Sequence, residues 1–130
     1  MEDCIVREIK EFDKVANLFV LASSLPHENS KNYTINNMRK RWSNYLMFNV
    51  LEHKGQPISF SGVYKYDKNL VRVVDRLFTI PEYRQKFMMK DVKEKIRPAA
   101  DYFIPYQTKW AKARGYDCFF SIQTKKKRNS

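Results

Sequence analysis

Apolar side chains along this chain follow two periods, and the places where one gives way to the other mark its elements. From Phe12 they recur at Phe12, Val15, Ala16, Phe19, Ala22 and Leu25, three and four apart as one face of a helix requires, until Pro26 ends the run. A second stripe of that period, Ile35, Met38, Trp42 and Tyr45, follows Thr34, whose hydroxyl suits a helix N-cap, while Arg39, Lys40 and Arg41 fill its opposite side. The polar loop 27–33 separates the two. Elsewhere the period drops toward two: residues 4–9 read as an N-terminal strand, and 47–52 and 58–66 as strands joined by the turn Lys54-Gly55-Gln56-Pro57. Past a turn at Asp67-Lys68-Asn69, residues 70–80 form the longest β-like run, stopped by Pro81. Gly115 is placed to end a helix, and 116–122 reads as a last strand.

The order β-α-α-β-β-β-α-β predicts an α/β (α+β) fold, a mixed and mostly antiparallel twisted sheet flanked by helices. In it the last strand returns through a helical crossover, 88–114, to lie parallel beside strand 70–80. Pro98 and Pro105 stand inside that crossover, so a break or kink is expected at one of them at least.

Composition narrows the class. At 130 residues with 43% hydrophobic positions and only three glycines, the chain suits one packed domain, expected over 1–123, and excludes collagen-like and disordered classes. No apolar run is long enough to cross a bilayer, and the first residues are acidic where a secretory signal is basic, so a cytoplasmic location is expected. Cys4 and Cys118, each in an apolar strand-like segment, read as reduced packing residues, and they form no metal-ligand spacing with His27 and His53. Lys and Arg number 25 against 14 acids, a net charge of +11. Part of the excess sits in the basic tail 124–130, yet the body is basic too, which favours anionic partners without choosing among them.

The strand exit Leu77-Phe78-Thr79-Ile80-Pro81-Glu82-Tyr83-Arg84 and the helix end Trp110-Ala111-Lys112-Ala113-Arg114-Gly115-Tyr116-Asp117, set in that element order, resemble the GNAT superfamily of acyl-CoA N-acyltransferases from Cys4 to about Ile122. The resemblance implies transfer of an acyl group from acetyl-CoA, as co-substrate, to an amine acceptor, with no metal. It implies that the fourth strand splays from the fifth, leaving the backbone of Leu77, Phe78, Thr79 and Ile80 to bond the pantetheine arm, because an unpaired ladder is a template for an extended amide.

The family's glycine-bearing pyrophosphate loop is where this chain departs. Counted on from Arg84, the small positions hold Phe87 and Met89; counted back from Gly115, the loop falls on 95–100. Side-chain cations are then expected to meet the phosphates, Arg84 and Lys86 in the first register or Lys95 and Arg97 in the second. Few residues follow the fifth strand, where the family adds a helix, often with a Tyr general acid, and two strands. An acid from elsewhere, completion of the sheet in a homodimer, and loss of catalysis all stay open. For the base, Asp75 stands near where the family often holds a carboxylate, against the reading that it simply pairs with Arg72 or Arg76; His27 and Glu28 are alternatives. A noncatalytic binding module for an acidic protein or nucleic acid is the competing function, with Tyr33, Tyr64, Tyr66 or Tyr106 as stacking platforms.

Overall fold

The computed structural model describes residues 3–25, 30–84 and 96–120. Among them five strands form one sheet in the order β1-β2-β3-β4-β5: β1 (Cys4–Glu8), β2 (Tyr45–His53), β3 (Gln56–Asp67), β4 (Leu70–Thr79) and β5 (Asp117–Phe119). The first four pair antiparallel in sequence, and β5 adds parallel to β4. Helices α1 (Ala16–Ser24) and α2 (Ile35–Trp42) lie between β1 and β2 in the chain, and α3 (Ile104–Ala113) between β4 and β5.

The expected element order is the one observed, and several local signals act as the sequence suggests. Thr34 caps α2, its Oγ1 accepting from the Asn37 amide at 3.2 Å. Lys54 and Gly55 turn the β2–β3 hairpin with φ of 53° and 83°, the left-handed pair that a two-residue turn demands. Pro98 stands in the first turn of a π-helical segment, Pro98–Phe103, and Pro105 in the first turn of α3. The expected interruption stands at Pro98, because Arg97 before it is extended, with φ of −110° and ψ of 92°; at Pro105, which has no N–H to give, only the bonding changes, from π to α, while Phe103 and Ile104 both stay helical.

Several boundaries differ from the sequence reading: strand ends shift by a residue or more, and the turn expected over Lys54-Gly55-Gln56-Pro57 is shortened, with Gln56 and Pro57 already in β3. The stretch from Phe12 opens as a 3₁₀ turn, Phe12–Lys14, before α1 begins. Tyr45 ends no helical stripe: α2 stops at Trp42, the Asn44 amide closes a turn onto Arg41 O at 2.9 Å, and Tyr45 is the first residue of β2. The start of the crossover lies outside the described residues.

Helices α1 and α2 cover one face of the sheet. There Phe19 packs edge-on against Phe48 and Phe60 with centroids 5.6 and 5.0 Å apart, and Phe60 in turn meets Phe78. Helix α3 covers the other face, where Ala111 joins Met47, Val63, Val71 and Val73. Cys4 and Cys118 form no disulfide, and no helix among the described residues is long and apolar enough to cross a membrane.

Candidate active site

Between Arg72 and Phe78, strand β4 carries two extra residues relative to β3. The register pairs Tyr64 with Arg72, Gly62 with Asp75 and Phe60 with Phe78, so β3 advances by two where β4 advances by three, twice. Val74 and Arg76, on either side of Asp75, take φ of 56° each. For a β-branched residue such as Val74 that region is sterically costly, and backbone held there is over-determined by its surroundings.

Ionic contacts fasten the bulge toward α2. Because cross-strand partners share a face, Arg72, Asp75 and Phe78 all look toward the α1–α2 layer. Asp75 is buried, and its Oδ2 accepts from Arg41 Nη2 at 2.6 Å and from the Tyr45 hydroxyl at 2.6 Å, while Arg72 approaches Oδ1 at 3.6 Å. The Arg41 guanidinium lies 3.9 Å over the ring of Tyr64. Tyr45 reaches Asp75 across β3 at Gly62, where a Cβ would sit only 2.5 Å from the Tyr45 ring and 2.6 Å from Phe48. Burial and then the Asp75 charge push the Tyr45 phenol far above its ordinary value. For Arg41, burial opposes the charge, but Tyr45 and Asp75 outweigh it and hold the guanidinium above its usual value.

Neutral amides fasten the same bulge toward α3. The fully buried Gln107 accepts the Val74 amide at 2.8 Å on its Oε1 and donates its Nε2 to Asn49 Oδ1 at 3.0 Å. Asn49 passes the chain on to Arg7 O at 3.3 Å.

Beyond the bulge, the outer edge of β4 meets no strand among the described residues. Among the described residues β5 meets it only at Leu70, Val71 and Arg72. The Ile80 amide bonds Ile58 O at 2.9 Å and Phe78 pairs with Phe60, so alternation turns the peptide groups of Leu77 and Thr79 away from β3. Their carbonyls accept from side chains, Leu77 O from the Tyr33 hydroxyl and Thr79 O from Arg84 Nε, each at 2.6 Å. Burial raises the Tyr33 phenol, with the Arg76 charge opposing it and Asp75 adding to it; burial lowers the Arg84 guanidinium, with Tyr33 opposing.

The structure thus brings Asp75, Leu77, Phe78, Thr79, Ile80 and Arg84 onto one strand and its exit. Asp75 pairs with Arg72, as one reading of the sequence had it, and with Arg41 rather than Arg76, because the bulge turns the carboxylate toward α2. Arg97 is exposed and pairs with Asp101 in its own turn at 2.9 Å. Lys86, Lys95, His27 and Glu28 lie outside the described residues. Tyr33 is no exposed platform, since it is buried against Phe60 and Phe78, and Tyr64 lies half-buried under Arg41. Tyr66 and Tyr106 are exposed.

Sequence reasoning missed Arg41, Tyr45, Gly62 and Gln107. The apolar positions of β4 change parity, from Val71 and Val73 to Phe78 and Ile80, but that reports a change of buried face, from the α3 side to the α1–α2 side, and two inserted residues leave parity as it was.

A run of four antiparallel strands closed by a fifth parallel to the fourth, flanked by helices, is the fold of the GNAT acyl-CoA N-acyltransferases. Solved structures bear this out. The PaiA N-acetyltransferase of Thermoplasma acidophilum in complex with coenzyme A superposes with a TM-score of 0.64 at 14% identity, covering 95% of this chain and 81% of that one. The aminoglycoside acetyltransferase AAC(6')-Iy with a CoA bisubstrate analog gives 0.58 at 13%, covering 97% and 84%. A predicted acetyltransferase from Clostridium acetobutylicum with acetyl-CoA gives 0.57 at 15%, also covering 97% and 84%. No family model and no curated protein matches the sequence.

Proposed function

We propose that this chain binds an acyl-CoA along the outer edge of β4 and transfers its acyl group to an amine. The observation that carries the reading is the short pairing of β4 with β5 among the described residues, which reaches only Arg72 and Phe119 while β4 runs on to Thr79. That leaves the outward peptide groups of Leu77 and Thr79 to an extended ligand with amides of its own, such as pantetheine. Neighbours of the same fold hold CoA, acetyl-CoA or a CoA bisubstrate analog, which supports the same co-substrate here. The bonds from Tyr33 and Arg84 do not close the edge, because a carbonyl oxygen has two lone pairs and accepts a second donor.

In the reaction the amine nitrogen attacks the thioester carbonyl, the C–N bond forms, the C–S bond breaks, and CoA leaves as a thiol with the proton the amine gives up. Holding donor and acceptor in line converts a bimolecular step into an effectively unimolecular one. Asp75 as base would have to release Tyr45 or Arg41 before taking that proton. With no glycine loop at the strand exit, the pyrophosphate would be met by Arg84, freed from Thr79 O, together with Lys86, or in the other register by Lys95 and Arg97.

Calorimetric titration with acetyl-CoA tests this. Binding is expected to weaken as salt rises, because partly exposed ion pairs are screened within about 8 Å at physiological ionic strength. Arg84→Gln is expected to weaken it by about tenfold. No heat of binding at millimolar acetyl-CoA would overturn the reading and leave the binding-module alternative in its place.

A further inference from the structure

Arg76 stands in the second bulge of β4, between Asp75 and Leu77, with its backbone in the left-handed region. The side chain is half-buried and its Nε fully so, and among the described residues it makes no hydrogen bond and no ion pair. The carboxylate nearest in sequence, Asp75, is already shared by Arg41 and Arg72. Arg41 and Arg72 thus take up that acid and leave none of its bonds to Arg76. A guanidinium drawn partly out of water without a partner is costly, and a strained backbone that places it there points to a use.

Position says where that use lies. Arg76 precedes Leu77 and Arg84 follows Ile80, so the two cations bracket the outer edge from opposite ends. The Arg76 charge reaches the Tyr33 phenol, whose hydroxyl sits on Leu77 O. If the pyrophosphate lies toward Arg84, the thioester lies toward Arg76. We infer that Arg76 binds a carboxylate carried by one of the two substrates, on the acyl group or on the amine acceptor. Its planar fork of donors fits a carboxylate bidentately where a lysine would offer a single point of charge. The inference rests on the acyl-transfer reading and names a substrate class within it.

Two pairs of probes that exchange a methyl for a carboxylate test it. Succinyl-CoA is compared with butyryl-CoA by calorimetric binding, and β-alanine with propylamine as acceptors of the acetyl group, by kcat/KM. One pair should show a preference of about tenfold for its carboxylated member. The ratio should fall toward one in Arg76→Gln and survive in part in Arg76→Lys. A preference in the first pair places the carboxylate on the donor, and in the second on the acceptor. Absence of preference in both pairs overturns the inference while leaving acyl transfer standing if the thioesters bind, and so does an equal loss for both members of a pair in Arg76→Gln. Failure of every thioester to bind the wild type overturns both readings. Should Arg76→Gln not fold, the wild-type ratios and the lysine variant still decide.

Discussion

The two faces of the bulged segment of β4 are fastened by different chemistry. Toward α2 the fastening is ionic, with Arg41, Tyr45 and Arg72 converging on the carboxylate of Asp75, and the Arg41 side chain still 22% exposed. Toward α3 it is neutral and dry, a chain of amides from the Val74 backbone through Gln107 to Asn49 with both side chains fully buried. Each suits its surroundings. A charge is tolerable where water still reaches part of the pair, whereas a fully enclosed cluster is satisfied at less cost by amides that leave no net charge behind. The comparison also explains how two non-glycine residues stay left-handed, for Val74 is held by its own N–H and Arg76 by the fixing of Asp75 beside it.

The ionic side should be the harder to damage safely. Asp75→Ala leaves Arg41 facing Tyr45 with no anion and takes away the Tyr45 acceptor, and breaking one partner of a largely buried pair costs about 3–5 kcal/mol. Urea unfolding should show that loss in the midpoint; a change under about 1 kcal/mol would mean the clamp is not holding the strand. Gln107→Leu is the matching cut on the other face. It orphans the Val74 amide and Asn49 Oδ1, each at about 1–3 kcal/mol, partly offset by the apolar side chain that replaces it. We expect a net loss of about 2 kcal/mol that does not vary with salt, where the wild-type contribution of the ionic face does.

Much of this frame was legible before the structure. Apolar spacing placed α1, α2 and the four antiparallel strands, Thr34 and Lys54-Gly55 fixed a cap and a turn, and helical backbone gives way before Pro98, where the residue preceding a proline is driven to the extended region. Strand 70–79 was legible as a strand but its bulges were not, because Val74 and Arg76 are among the residues least expected at positive φ, so propensity there argued for the wrong backbone. Tertiary contacts decide it, and they come from residues far off in sequence: Arg41 is 34 positions from Asp75, and Gln107 is 33 from Val74. Tyr45 was misread for the opposite reason, a local one. Its spacing fits the helical stripe of α2, but the turn at Asn44 ends that helix first.

The smallest effect separates the two faces most cleanly, since only one of them titrates. Tyr45→Phe keeps the ring that packs against Phe48 and Tyr64 and removes the hydroxyl that donates to Asp75, a loss of about 1 kcal/mol at neutral pH. At alkaline pH the sign is set by linkage. The folded-state pKa of Tyr45 is raised above the unfolded value of about 10, first by burial and then by Asp75, so above pH 10 the unfolded chain releases a proton that the folded chain keeps. The stabilisation is therefore whole below that pH and falls beyond it, at about 1.4 kcal/mol per pH unit for each such proton. Tyr33, raised in the same direction, adds its own share to the wild-type fall. Tyr45→Phe should start lower at pH 7 and decline less steeply above pH 10, while Gln107→Leu, with nothing to titrate, should run parallel to the wild type. Equal alkaline slopes in Tyr45→Phe and wild type would show that the phenol does not sit buried against the Asp75 charge.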